Sequence, residues 1–124
     1  MLTLTKNVNC TLNTAGDGFW SDTAKAVNIT TIFISTDYAD NGETEFGELC
    51  VYFDPDTWDI DKDGLIYTDS LFEQELAVLL KAMGVFGEFE YSEQGMQGEY
   101  YVSFDCSSDL IESAKETFEE EVFE

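Results

Sequence analysis

Asp59, Asp61 and Asp63 alternate along the stretch Asp59-Ile60-Asp61-Lys62-Asp63-Gly64-Leu65-Ile66 and run into the turn former Gly64. Carboxylates in that order suit calcium, a hard cation that gathers about six to eight oxygen ligands. The Leu65 carbonyl would be a fourth ligand beside the three aspartates. No other stretch has local spacing that spells out a chemistry. The chain has no histidine and no arginine. That removes the Ser-His triad, the imidazole metal ligand and the bidentate clamp for phosphate. Gly95 and Gly98 lack the lysine and the strand-to-helix setting of a phosphate loop. Two carboxylates can hydrolyse a glycoside, but among 27 carboxylates a suitably spaced pair arises by chance. The chain therefore reads as a non-enzyme with no catalytic residue.

The aspartate loop resembles the first eight positions of an EF-hand, with acids at positions one, three and five, glycine at six and an aliphatic at eight. The resemblance implies calcium as cofactor, held by Asp59, Asp61 and Asp63 in a loop running from 59 to 70. Position twelve, a bidentate glutamate in the motif, is Ser70. The preceding VYFDPDTW contains Pro55 and reads as a strand end instead of an entering helix. The alternative is an Asp/Gly turn between a strand and a capped helix.

Charge is the larger signal. All carboxylates except Asp17 and Asp22 lie beyond Thr36, where only Lys62, Lys81 and Lys115 oppose them, and the net charge is −22. Such accumulation opposes folding by self-repulsion. A composition 44% hydrophobic and 15% aromatic nevertheless supplies a core, and 124 residues suit one domain spanning 1–124. A pI near 4.1 argues against direct binding of nucleic acid or of an anionic membrane and for a basic protein partner. Cys10, Cys50 and Cys106 are odd in number and scattered, so free thiols in a reducing compartment are expected, with Cys10 and Cys50 as small buried groups. The opening MLTLTKNVNC lacks the features of a signal peptide, and no apolar run approaches a membrane span. These features predict a cytoplasmic protein, monomeric or homodimeric.

Period-two alternation through Leu2, Leu4, Val8, Cys10 and Leu12 predicts one or two short strands, with Phe19-Trp20 as an aromatic anchor after the first turn. VNITTIFIS over 27–35 is a strand, Asn41-Gly42 marks a hairpin, and ELCVYF over 48–53 returns as its partner. The capping box Ser70-Leu71-Phe72-Glu73 starts a helix whose apolar face is Phe72, Leu76, Leu79 and Met83, and Gly84 ends it. Residues 85–91 and 99–104 predict a second strand pair. Ser107 or Ser108 caps a last helix carrying Ile111, Ala114, Phe118 and Val122. The expected class is α+β: a mainly antiparallel sheet of about five strands with two helices on one face, in the order β-β-β-α-β-β-α.

On that last helix Asp109, Glu112, Glu116, Glu119 and Glu120 fall three, four and seven residues apart, a stripe opposite the apolar face with charges roughly 5–6 Å apart. This spacing is comparable to that of phosphates along a nucleic-acid strand. In size, charge, acidic helix and lack of catalytic groups the chain resembles the small acidic DNA-mimic proteins of phages and mobile elements, among them anti-restriction and anti-CRISPR inhibitors. The stretches DGLIYTDSLFEQEL and YSEQGMQGEYYVSFD are also similar to small phage or plasmid proteins. The resemblance implies an inhibitor of a bacterial host's nucleic-acid-binding protein but assigns no residue a role; helical geometry selects the stripe as the partner-binding residues, and exposed aromatics such as Tyr38, Tyr67 or Tyr100 would anchor the complex.

Overall fold

Alternating β-branched and apolar residues dominate the first third of the chain, and the computed structural model builds its longest strands there. It describes residues 2–14, 25–38, 44–57, 70–94 and 100–122. Strands β1 (Leu2–Thr14), β2 (Lys25–Tyr38) and β3 (Thr44–Phe53) precede helix α1 (Ser70–Ala82). Then come β4 (Phe89–Gln94), β5 (Tyr101–Cys106), helix α2 (Ser108–Ala114) and β6 (Glu119–Val122). The sheet order is β4-β5-β3-β2-β1-β6, and every pairing is antiparallel. The α+β class, the antiparallel sheet and both helices are as the sequence predicts. A short edge strand, β6, is added to the expected set.

β1 is one strand of 13 residues, not two short ones. Its register against β2 slips between Asn7 and Cys10, and β2 slips against β3 between Ile29 and Thr31. Across that level the buried positions of β2 change from Val27 and Ile29 to Ile32 and Ile34. An extra residue in a strand reverses its alternation and sharpens its twist, so a broken period-two pattern is one long bent strand here.

One face of the sheet carries the core. Leu4, Leu12, Val27, Ile29, Ile32, Ile34, Leu49 and Val51 meet Phe72, Leu76 and Leu80 of α1 and Leu110, Ile111 and Ala114 of α2. Phe104 of β5 sits among rings: Phe72 stacks on it at 6.5 Å, and Phe89 and Tyr91 approach edge-on at 5.2 and 6.4 Å. α1 places Glu73 in its first turn and Lys81 in its last, both favourable to the helix dipole. It ends at Gly84, whose φ is +85°. Gly84 N–H donates to the Lys81 carbonyl (3.0 Å) and Val85 N–H to the Leu80 carbonyl (2.8 Å), the two bonds of a Schellman cap. Val85 is therefore a buried cap residue, and β4 begins only at Phe89, four residues later than its expected start at 85.

α2 lies very close to the sheet. A Cβ on Gly47 would come 2.7 Å from Ile111 Cδ1 and 2.8 Å from the Ser35 carbonyl oxygen. Ser107 caps the helix by accepting from Leu110 N–H at 3.3 Å and also accepts from Glu88 N–H at 3.2 Å. Ser113 Oγ is held by Phe86 on both backbone groups, at 2.8 and 3.0 Å. At the far end of β3, Pro55 occupies the second position of a turn in which Asp54 accepts from Thr57 N–H at 3.0 Å and Asp56 N–H at 2.9 Å. Among the described residues no helix is long and apolar enough to cross a membrane.

Candidate functional site

The second face of the sheet carries no described helix, and its residues line up in rows across the strands. Glu48 of β3 stands opposite Asp105 of β5, and Asp105 stands opposite Glu90 of β4. Three carboxylates thus occupy one row on three adjacent strands, about 4.8 Å apart in strand spacing. The row continues through Ser35 and Thr3 to the backbone position of Glu121 on β6. No lysine occupies any position in it. Like charges directly opposite one another destabilise a sheet, so the arrangement costs stability and nothing in register offsets it.

The next row runs Glu93, Ser103, Cys50, Phe33, Thr5. Cys50 donates its thiol to Glu48 Oε1 at 3.2 Å. Burial first, and then the adjoining Glu48 carboxylate, push its pKa up to about 12, so it is a protonated, unreactive thiol. Cys106, on the core face, is likewise pushed up to about 12 by burial, with Asp105 and Glu48 adding to it. All three cysteines are free. Ser103 is fully buried, and apart from its contact with the Cys50 thiol, which acts to lower that pKa, its hydroxyl has no hydrogen-bond partner. A third row places Tyr52 opposite Tyr101. Their rings lie 5.4 Å apart, and Phe33 meets Tyr52 edge-on at 5.9 Å. Phe33 and Tyr52 are 36% and 39% exposed, so this face presents carboxylates beside a partly open aromatic row.

Beyond the row, at the start of α2, an open recess of about 590 Å³ is lined in part by Glu88, Glu90, Asp105 and Ser107. Both edge strands are acidic as well: Glu90 and Glu93 on β4, and Glu119, Glu120 and Glu121 on β6. Charges on an edge discourage pairing with another chain.

The expected helical stripe is not one stripe. Asp109 and Glu112 are exposed on α2, but the helix ends at Ala114 with Lys115 as its cap. Lys115 bridges back to Glu112 at 3.1 Å. Glu116 lies in the following turn, and Glu119 and Glu120 belong to β6, where they pair with Thr5 and Leu4. A strand does not continue the repeat of a helix, so β6 cannot extend the α2 stripe to Glu119 and Glu120. Two physical causes agree. Glu116, Glu119 and Glu120 at three- and four-residue spacing would repel one another in a helix, and the free edge of β1 offers backbone partners from Leu2 to Thr5.

The expected calcium ligands Asp59, Asp61 and Asp63, the expected anchors Phe19-Trp20 and Tyr67, and the expected Asn41-Gly42 turn lie outside the described residues, as does the side chain of Tyr38. Tyr100 is half-buried and packs on the core, so it is not an exposed anchor. The carboxylate row went unseen in the sequence because Glu48, Glu90 and Asp105 belong to three distant strands. Only the alternation of VYF and YYVSF hinted that Tyr52 and Tyr101 would share a face. Compared with protein-family models, curated proteins and solved structures, the chain shows no match to any of them.

Proposed function

We propose that this protein is a non-enzymatic inhibitor that presents carboxylates in place of nucleic-acid phosphates. It would competitively occupy the basic groove of a DNA- or RNA-binding host-defence or repair protein in a bacterial cytoplasm. One observation carries the reading. No described carboxylate enters the core, and in a chain of net charge −22 the sheet sets Glu48, Asp105 and Glu90 side by side. Solubility needs far less charge than this, and stability is served better without the row. A rigid sheet holding charges at strand spacing of about 4.8 Å fits a groove built for a polyanion with one charge per about 3.4 Å of each strand. Long-range attraction would speed the encounter.

The test is a pull-down from bacterial lysate on the immobilised protein, eluted stepwise with salt or with duplex DNA. Release of a nucleic-acid-binding protein by DNA supports the proposal. Capture that is indifferent to both salt and DNA refutes it, because a polyanion mimic must share the salt dependence of the polymer it replaces.

A further inference from the structure

Resting on the inhibitor reading, we propose that the docking surface is the open face of β3, β5 and β4, and that it receives an arginine-bearing segment of the partner. The carboxylates are Glu48, Asp105 and Glu90 in one row with Glu93 beside them. Glu90, Glu93 and Asp105 are exposed, and Glu90 and Asp105 also wall the recess of about 590 Å³ next to the row. A second observation points to a ligand that donates hydrogen bonds. Ser103, between Cys50 and Glu93 on this same face, keeps a fully buried hydroxyl that meets only the Cys50 thiol and accepts from no donor. The nearby thiol of Cys50 is already given to Glu48. A buried polar atom left unmatched is costly, and here its surroundings are acceptors. An incoming N–H donor from a cation satisfies both.

The choice of arginine over lysine comes from the aromatic row. Phe33, Tyr52 and Tyr101 form a continuous run of rings, and the two tyrosines lie two residues along the strands from the row of Glu93 and four from that of Glu48 and Asp105. A guanidinium pairs with carboxylates through a planar fork and also stacks on aromatic faces, whereas an ammonium is a compact, strongly hydrated point charge. The helix α2, where the sequence placed the contact, has no such partner for a cation beyond Asp109 and Glu112, and Glu112 is engaged by Lys115.

The experiment titrates the full chain with nona-arginine and nona-lysine peptides at low salt, reading affinity by calorimetry. Two charge-matched triple variants are compared: Glu48→Gln/Glu90→Gln/Asp105→Asn on the sheet and Asp109→Asn/Glu112→Gln/Glu116→Gln around α2. The expected result is about a tenfold loss for the sheet variant with less than about a twofold loss for the α2 variant. Nona-arginine should bind the native chain about fivefold more tightly than nona-lysine. Ser103→Ala should weaken nona-arginine binding while leaving the melting temperature of the free protein equal or higher, a split that a purely structural hydroxyl would not produce. Equal losses in the two triple variants would overturn the assignment of the surface and leave the inhibitor reading standing. Equal affinity for the two peptides would overturn the choice of arginine. No binding of either peptide by the native chain would overturn both the surface and the broader reading.

Discussion

Replacing Asp105 by asparagine should make the free protein more stable, because the middle of the carboxylate row is the place where repulsion is greatest. Asp105 has Glu48 on one side and Glu90 on the other in direct cross-strand register. A like-charged pair in that relation costs about 0.5 kcal/mol, so removing the central charge should release about 1 kcal/mol from the two together. Asparagine keeps the size and the low strand preference of aspartate, so charge is the only variable. For a domain of this length about 1 kcal/mol corresponds to a rise in Tm of about 3–4 °C. The assay is a thermal melt by circular dichroism at low salt and again in molar sodium chloride, where the Debye length falls to about 3 Å. The rise should shrink to under about 1 °C in high salt. A fall in Tm at low salt, or a rise of equal size in both salts, would refute the view that the row is a standing electrostatic cost.

Three further outcomes follow from the packing. Gly47→Ala should destabilise by about 2 kcal/mol, measured by urea denaturation, because its Cβ meets Ile111 Cδ1 and the Ser35 carbonyl; a neutral result would mean that α2 rides higher on the sheet. Phe104→Ala should cost about 3–5 kcal/mol in the same assay, since the ring touches Phe72, Phe89 and Tyr91. Stability should fall as pH rises from about 9 toward about 12, because Cys50 and Cys106 hold their protons to about 12 when folded and release them near 9.0 when unfolded. The unfolded state then binds fewer protons, which lowers the unfolding free energy as pH increases. Cys50→Ser together with Cys106→Ala should flatten that slope in a pH series of melts.

The chain order alone determined the α+β class, the β2–β3 pairing, the start of α1 at Ser70, its stop at Gly84 and the Ser107 cap of α2. Each is a local event, decided by β-branched runs, a side chain reaching a nearby amide, or a glycine taking positive φ, so a few residues suffice to read it. The net charge and the absence of histidine and arginine also needed no structure. Tertiary structure decided what depends on partners far away in the chain. Glu119–Val122 has helical spacing, yet it is drawn to the open edge of β1, 114 residues earlier at Thr5, where backbone hydrogen bonds replace a helix that its own glutamates would strain. The interacting face is of the same kind. Glu48, Asp105 and Glu90 become neighbours only once β3, β5 and β4 are in register, and the register is set by which side of each strand must be buried against α1 and α2.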